Sequence, residues 1–367
     1  MRPRTTGEVD LDTSVFRLDG VTKRYGDLVA LDNATLDAGE NEYISFLGPS
    51  GSGKTTLLRV IAGFEAPEAG RVFFNGKDIT NLPAHERGIG FVFQNFALFP
   101  HLSVIQNVSF GLTHGKSGLN AAEIERRSLE MIEIVGLSGM QGRGVDQISG
   151  GQRQRVALAR TLTMQPKLVL LDEPLGALDA NLRGRMRNEL RAIRERLGVT
   201  FVHVTGSETE ALAMGDRVVV LDRGRIIQIG TPGEVYGSPA SPDVAHFLNR
   251  FNLFEGKLAK GTFTGPFGAV PAAHAVRSDR DIYAVRYDRM QAVDPSAPVS
   301  GPAIRARFVA SEYLGSSVMN FFEAGDGHVI EMEHHLSLGA PQTFEPRQDY
   351  LLTWNPEQAI VFGREVA

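Results

Sequence analysis

Residues 48–56, GPSGSGKTT, have the types and spacing of a phosphate-binding loop, G-x-x-x-x-G-K-[ST]. Glycines let a backbone wrap closely around a phosphate, and the loop N–H groups face the anion at the positive end of the next helix. Lys54 would add a full charge at the β- and γ-phosphates, and the Thr55 hydroxyl could bind Mg²⁺. The candidate phosphate contacts are Gly48, Ser50, Gly51, Ser52, Gly53, Lys54, Thr55 and Thr56.

Two adjacent carboxylates, Asp172 and Glu173, follow the continuous apolar run at residues 168–171. Such a run is typical of a strand that is buried on both faces, and carboxylates at its end are costly unless they have a function. Asp172 could hold Mg²⁺, commonly through water, as hard oxygen ligands do. Glu173 could orient or deprotonate the water that attacks a γ-phosphate.

Gln94 ends another apolar run, residues 88–93, at the edge where ligands bind in open α/β sheets. Its carbonyl oxygen could reach Mg²⁺ or the attacking water, although a surface amide explains the residue equally well. Tyr25 precedes the turn at residues 26–27. It could be a platform for an adenine ring, but strand packing is the commoner role of such an aromatic.

A second glycine-rich helix start lies at Ser149, Gly150, Gly151 and Gln152. Serine is a good N-cap, and the glycines expose backbone N–H groups that could bind another phosphate. An ordinary capped helix is the alternative.

The elements that must position these residues alternate between strands and helices. Strands are predicted at residues 15–18, 21–25, 43–47, 88–93, 168–171, 200–205 and 217–221, and helices at 55–62, 121–135, 153–164 and 181–197. This alternation stops near residues 247–252, and short strands with Gly, Pro and Asp turns follow. We therefore expect an α/β domain followed by a small β-barrel or sandwich.

Composition restricts the function further. The 367 residues have room for two domains, and a net charge of −5 does not suggest bulk nucleic-acid binding. The absence of cysteine excludes disulfides, thiol catalysis and zinc–thiolate sites. No apolar run is long enough for a membrane span, and the N-terminal residues do not suggest a signal peptide. A membrane role would therefore require a partner.

Together these motifs resemble the ATP-binding subunit of ABC transporters. Residues 48–56 match Walker A, Tyr25 the A-loop aromatic, Gln94 the Q-loop, residues 148–152 the signature, residues 168–173 Walker B, and residues 177–179 the D-loop with Asp179. The resemblance covers residues 15–248 and implies a P-loop NTPase fold with a helical subdomain at about residues 95–160. Residues 249–367 resemble the TOBE-type β domain of importer ATPases, in segments 310–315 and 354–357. Residues 1–14 would form an N-terminal tail.

The resemblance implies an enzyme that hydrolyses ATP with Mg²⁺, using Glu173, Lys54 and Gln94 catalytically and Thr55, Gln94 and Asp172 at the metal. Such subunits act as dimers, most often homodimers, in which ATP lies between one subunit's Walker A loop and the other's signature helix. Two membrane-spanning permease subunits and, indirectly, a periplasmic or extracellular solute-binding protein would be the partners, with no nucleic acid. The subunit would be peripheral at the cytoplasmic face of the cell membrane.

One position departs from the family pattern. The family usually has a histidine that contacts the γ-phosphate where this sequence has Gly206. His203 lies three residues earlier, and period-two alternation places it on the opposite strand face, so we expect it to be structural. Glu173 could suffice as the base, Ser207 or Glu208 could replace the contact, or a different ATPase subunit could complete the site.

The resemblance leaves the solute open. Polyamines or other small organic cations rank first, followed by sugars and then iron or oxyanions. A non-transport ABC ATPase would be expected to show a second cassette or long coiled-coil heptads, which the sequence lacks. A nucleotide-sensing subunit with weak hydrolysis is the other alternative, because of Gly206.

Overall fold

The computed structural model describes residues 14–115, 118–176, 178, 180–248 and 250–364. Contacts divide the chain into two compact units, Met1–Val235 and Tyr236–Ala367. The domain boundary predicted after residue 248 stays a prediction. Ser14, which the sequence places in the tail, begins the first strand, and the rest of that predicted tail lies outside the described residues.

The first unit alternates strands and helices. Its strands are β1 (Ser14–Tyr25), β2 (Leu28–Gly39), β3 (Tyr43–Leu47), β4 (Ala69–Phe74), β5 (Lys77–Asp78), β6 (Gly90–Val92), β7 (Leu168–Asp172), β8 (Thr200–Thr205), β9 (Arg217–Asp222) and β10 (Arg225–Gly230). Its helices are α1 (Lys54–Ala62), α2 (Val104–His114), α3 (Ala121–Ile134), α4 (Gly150–Leu162), α5 (Ala180–Leu197) and α6 (Glu208–Met214), and α7 (Pro232–Gly237) contains the division point. The two edge strands predicted at residues 15–25 are one strand, β1, whose pairing with β2 is interrupted by register shifts.

A six-stranded sheet positions the candidate site. Its order is β10-β9-β3-β8-β7-β6, parallel except for the β9–β10 hairpin. The loops after β3, β6, β7 and β8 therefore leave the same edge of the sheet, where α/β proteins bind ligands. The strand predicted at residues 88–93 is shorter in the structure, where β6 covers only Gly90–Val92.

Two apolar layers cover this sheet, and alternate side chains of each strand enter different layers. Leu168 and Leu170 of β7 pack in one layer with α1, and Val169 and Leu171 pack in the other with α4 and α5. Every residue of β3 and β8 is buried. This explains why the sequence shows continuous apolar runs there rather than alternation.

The second unit is built mainly of β-strands. It contains α8 (Pro242–Phe247), β11 (Phe251–Glu255), β12 (Lys257–Ala259), β13 (Thr262–Gly265), β14 (Gly268–Pro271), β15 (Ala275–Arg277), β16 (Ile282–Arg286), β17 (Met290–Val293), β18 (Ala303–Tyr313), β19 (Ser317–Ala324), β20 (Val329–His335), β21 (Asp349–Trp354) and β22 (Ile360–Gly363). They form sheets ordered β11-β16-β22-β15, β12-β13-β14 and β17-β21-β18-β19-β20. Trp354 stacks on Phe254 in the core and donates its indole N–H to the Tyr283 hydroxyl at 3.2 Å. Of the helices that the structure describes, none has the length and apolar character of a membrane span.

Candidate active site

The glycine-rich loop connects β3 to α1 and folds back onto the ammonium of Lys54. The Lys54 Nζ donates to the carbonyl oxygens of Gly48 at 2.7 Å and Pro49 at 2.8 Å. Lys54 is only 7% exposed, and burial lowers the pKa of its ammonium, while the carboxylate of Glu173 opposes that shift. Among the described residues, no carboxylate forms a direct ion pair with Lys54. A bound phosphate would therefore contact a desolvated ammonium whose charge is not already paired.

Two neighbouring segments, strand β2 and the β9–β10 turn, border one side of the glycine-rich loop. A Cβ at Gly53, where φ is +100°, would lie 2.5 Å from the carbonyl oxygen of Ala30 in β2. The N–H of Gly224, in the β9–β10 turn, donates to the Ser52 carbonyl at 3.1 Å. Gly51 has a φ of +80° and open space around it. The loop thus has one crowded side and one open side.

Asp172 and Glu173 are adjacent but contact different partners. The Thr55 hydroxyl donates to Asp172 Oδ1 at 3.5 Å, and the Gln94 amide donates to Glu173 Oε2 at 2.8 Å. Burial, followed by the charge of Glu173, raises the pKa of Asp172, while Arg59 and the Thr55 hydrogen bond oppose that shift. A hydroxyl beside a carboxylate is a fitting donor set for Mg²⁺, which prefers oxygen ligands.

The backbone of Glu173 separates the two carboxylates. Its φ is 45°, in the left-handed region that a non-glycine residue rarely adopts, and its N–H donates to the Val204 carbonyl at 3.2 Å. This turn directs Glu173 towards the end of β6, while Asp172 faces the start of α1. Strained backbone of this kind is common at active sites.

Tyr25 lies at the hairpin that connects β1 and β2. It is 43% exposed, pairs with Leu28, and has the Lys23 ammonium 5.3 Å from its ring centre. Because β2 also carries Ala30 beside Gly53, this hairpin borders the phosphate-binding loop. The exposed ring is available for stacking, and its role as an adenine platform stays a prediction.

The second glycine-rich segment is the start of α4. The Ser149 hydroxyl accepts from the Gln152 N–H at 3.3 Å, and the Gln152 side chain accepts from the Ser149 N–H at 2.8 Å, which completes a capping box. A Cβ at Gly150 would meet nothing within 4 Å, whereas one at Gly151 would lie 2.9 Å from Leu182. The described hydrogen bonds of this segment are internal to α4, so its exposed side could bind a group from another molecule.

The structure therefore gathers most of the predicted residues at one edge of the central sheet. Gly48, Ser50, Gly51, Ser52, Gly53, Lys54, Thr55 and Thr56 lie in the loop and the first turn of α1, with Gln94, Asp172 and Glu173 beside them. Ser149, Gly150, Gly151 and Gln152 form a separate helix start. Asp179 lies outside the described residues.

Gly206 follows β8, which lies between β3 and β7. A Cβ at this position would meet no atom within 4 Å. His203 is fully buried against the ring of Tyr43, and its Nδ1 is 3.1 Å from the Ser45 hydroxyl. Tyr43 belongs to the sheet layer that packs on α4 and α5, so His203 lies in the core. Its Nε2 is buried and has no hydrogen-bond partner among the described residues, and the structural role of His203 stays a prediction.

Sequence reasoning missed Arg87, which is 4% exposed. Its guanidinium donates to the carbonyls of Val60 and Ile61, at 2.8 and 2.9 Å, and so satisfies the C-terminal end of α1. It also donates to Leu82 and Thr80. Arg87 stands in a polar stretch, and no pattern in the sequence distinguishes it from an ordinary surface arginine.

The fold and the site define a P-loop ATPase of the ABC type, and comparison with known proteins agrees. The family model described as "ABC transporter" matches residues 31–176. The chain is similar to an ATP-binding cassette solved as a post-hydrolysis dimer bound to ADP and Pi, with 33% identity, a TM-score of 0.53, and coverage of 59% of this chain and 98% of that one. It is also similar to cbiO1 of Clostridium perfringens, part of an ABC transporter complex, with 30% identity, a TM-score of 0.58, and coverage of 65% and 95%.

Curated relatives are closer in sequence. The spermidine/putrescine import ATP-binding protein of Acetivibrio thermocellus is 44% identical over 84% of this chain and 88% of its own length. The protein of the same name from Rubrobacter xylanophilus is 38% identical over 95% and 93%. The sulfate/thiosulfate import ATP-binding protein of Caulobacter vibrioides is 48% identical over 69% and 75%. The chain belongs to the ATP-binding subunits of ABC importers, and it is an ATPase.

Proposed function

We propose that this subunit powers the import of a polyamine, spermidine or putrescine, by hydrolysing MgATP in a dimer that closes around two nucleotides. The catalytic part of this proposal rests on two hydrogen-bonded pairs, Glu173 with Gln94 and Asp172 with Thr55. Both pairs lie near Lys54, whose pKa responds to the charge of Glu173. The solute assignment rests on the names of the two relatives that align over most of this chain.

The site residues have separate roles in this proposal. Lys54 and the loop N–H groups bind the β- and γ-phosphates, and Tyr25 stacks on the adenine. Thr55, Asp172 and the Gln94 carbonyl hold Mg²⁺, directly or through water, and the ion neutralises phosphate charge when bound. Glu173 orients the attacking water and accepts its proton.

The exposed start of α4 completes the site in the partner subunit. Ser149, Gly150, Gly151 and Gln152 would bind the γ-phosphate of ATP held by the facing subunit, most simply a second copy of this chain. Closure and reopening would act on two permease subunits at the cytoplasmic face of the membrane. A solute-binding protein outside the cell would deliver the solute.

The catalytic role is tested by steady-state ATPase assays on the full chain. We expect Glu173→Gln to bind ATP with unchanged affinity and to lose about 10²-fold or more in turnover, because the amide cannot accept a proton. Glu195→Gln, an exposed carboxylate on α5, is the matched control and should hydrolyse normally. Normal turnover by Glu173→Gln would refute the assignment.

The solute is tested in proteoliposomes that contain the ATPase, its two permease subunits and its solute-binding protein. We expect ATP-dependent uptake of labelled spermidine or putrescine, with no competition by sulfate. The sulfate/thiosulfate relatives make an oxyanion the main alternative, and a sugar or iron importer is another. Uptake of sulfate without uptake of polyamine would replace the proposed solute.

A second candidate is a subunit that senses nucleotide and hydrolyses it weakly. It is favoured by Gly206, which offers no side chain at the position of the family's histidine. Losing one transition-state hydrogen bond can cost about 10²–10³ in rate. Normal hydrolysis in the assembled complex would eliminate this candidate.

A further inference from the structure

Arg160 connects α4 to the segment that follows Gln94. Its guanidinium donates to the carbonyl oxygens of Ala97 at 2.7 Å and Phe96 at 2.9 Å, and it lies 5.4 Å from the ring centre of Phe99. Within the described residues, no carboxylate pairs with it. Because each hydrogen bond to a cation is stronger than a neutral one, this contact holds the segment firmly.

The segment that Arg160 holds is strained. Phe96 and Ala97 have φ values of 63° and 45°, and two consecutive non-glycine residues in the left-handed region are rare. Such residues are strained and persist only where surrounding contacts determine them. The two carbonyls that Arg160 binds belong to these two residues.

A second contact fixes the other end of the segment. Asn107 of α2, which is fully buried, accepts from the Phe99 N–H at 2.9 Å and donates to the Phe99 carbonyl at 3.1 Å. The ring of Phe99 packs on Phe110 with centres 4.2 Å apart. The segment is therefore held by α2 at Phe99 and by α4 at residues 96–97, so a shift of α4 relative to α2 would deform the backbone between them.

The same helix carries the proposed γ-phosphate contacts at its other end. Ser149 precedes its first turn and Arg160 lies in its last, about 16 Å apart at 1.5 Å per residue. Helix α4 is continuous from Gly150 to Leu162, so a displacement of its first turn would move Arg160 with it.

We infer that Arg160 is a positioning residue that couples ATP engagement at the start of α4 to the conformation of residues 96–102. This rests on the proposed function, because it requires the partner's nucleotide to bind at Ser149–Gly151. The alternative is that Arg160 only stabilises the fold. The two differ in whether removing Arg160 uncouples the segment from nucleotide while leaving nucleotide binding and dimer formation unchanged.

The experiment is hydrogen–deuterium exchange on the full chain, with and without Mg²⁺ and a non-hydrolysable ATP analogue. Protein is used at a concentration where light scattering shows the nucleotide-bound dimer. In the wild type we expect the nucleotide analogue to change the exchange rate of peptides covering residues 96–102 by about fivefold or more. About fivefold is the lower end of the usual coupling between two sites. Arg160→Met should lose this change and keep the dimer.

Two further variants make the test specific. Arg160→Lys keeps the charge near Phe99 and one carbonyl contact, so it should retain part of the nucleotide effect. Arg196→Met removes an exposed arginine from α5 and should behave as the wild type. If Arg160→Met does not fold, Arg160→Gln replaces it, because its amide can still donate to one carbonyl while lacking the charge, and its nucleotide effect should fall below that of Arg160→Lys.

The outcomes separate this inference from the proposed function. A nucleotide effect of wild-type size in Arg160→Met, or in both Arg160→Lys and Arg160→Gln, would overturn the coupling role. So would a wild type that binds the analogue and dimerises without any change at residues 96–102. A wild type that neither binds the analogue nor dimerises would contradict the proposed function instead.

Discussion

At the scale of single residues, the candidate site depends on two adjacent carboxylates, Asp172 and Glu173, whose surroundings differ. Asp172 is held by Thr55, and burial raises its pKa, whereas Glu173 leaves the strand through a left-handed turn and is held by Gln94. The proposed function assigns Mg²⁺ binding to Asp172 and proton transfer to Glu173. The sequence pair Asp-Glu indicates both carboxylates, but only the backbone angle explains why they diverge.

Gly206→His tests whether the missing histidine limits turnover. The added Cβ meets no atom within 4 Å, and the φ of Gly206 is not in the left-handed region, so the fold should tolerate the change. We expect turnover in the assembled complex to rise, by up to about 10²-fold if one transition-state hydrogen bond is restored. Steady-state ATPase assays measure this.

The matched control for that substitution is Gly233→His, in α7. A Cβ at Gly233 would also meet no atom within 4 Å, and Gly233 is not one of the predicted site residues. An increase in both variants would show a general effect of the added imidazole. Unchanged turnover in Gly206→His would mean that Glu173 suffices or that Ser207 or Glu208 replaces the contact.

His203 should make the protein sensitive to mild acid. Burial lowers the pKa of its imidazole from 6.5 to about 3. The unfolded chain therefore binds a proton that the folded chain does not, so stability falls as the pH decreases from about 6.5 towards 3, by at most about 1.4 kcal/mol per pH unit. His203→Phe should reduce this pH dependence of the free energy of unfolding.

Denaturant titrations between pH 7 and pH 4 measure that difference. His274→Phe serves as the control, because that histidine lies in the second unit and is not buried. Loss of the Ser45 contact lowers the absolute stability of His203→Phe, so the slope against pH is the informative quantity. Equal slopes in the wild type and in His203→Phe would contradict the prediction.

At the scale of elements, the sequence predicts best where a motif and a buried strand coincide. The strand predicted at residues 43–47 and the helix predicted from residue 55 match β3 and α1 within one residue, because a continuous apolar run meets a glycine-rich loop there. Strand β2 and helix α6 gave no prediction, since β2 contains Asp and Asn residues that are depleted in strands, with left-handed backbone at Asn33, and α6 is short. The pairing of these elements depends on long-range contacts that local patterns do not contain.

The candidate site, like the fold, was predictable where residue types define it and not where distant residues meet. The residue types of the loop and of the two carboxylates identified the chemistry, whereas the hydrogen bond between Gln94 and Glu173 joins residues 79 apart in sequence. The contacts of Arg160 and Arg87 likewise join distant backbone carbonyls. A backbone carbonyl leaves no trace in a residue pattern, so such contacts require the structure.

Glycines of the phosphate-binding loop should differ in how much stability they contribute. Gly51→Ala places a Cβ in open space at positive φ, so we expect a loss of about 1 kcal/mol in the nucleotide-free protein. Gly53→Ala adds a collision with the Ala30 carbonyl at 2.5 Å, so its loss should be several-fold larger. Urea denaturation without nucleotide measures both, and equal losses would show that the loop can move away from β2.

At the scale of the whole molecule, the two units offer separate probes of unfolding. The longer described helices, α1 to α6, lie in the first unit, and Trp354, the single tryptophan of the sequence, lies in the core of the second. Circular dichroism at 222 nm therefore reports mainly on the first unit, and tryptophan fluorescence reports on the second. The residues proposed to bind nucleotide all belong to the first unit.

We therefore expect MgATP to stabilise one transition and not the other. Ligand at 100 times its Kd stabilises the unit that binds it by about 2.7 kcal/mol, which raises the Tm of a domain of this size by several degrees. The dichroism transition should shift upward while the Trp354 fluorescence transition stays in place, and Lys54→Ala, which removes the loop cation, should abolish the shift. A joint shift of both signals would mean that the two units unfold as one cooperative structure, in which case nucleotide binding in the first unit is energetically linked to the β-sheets of the second.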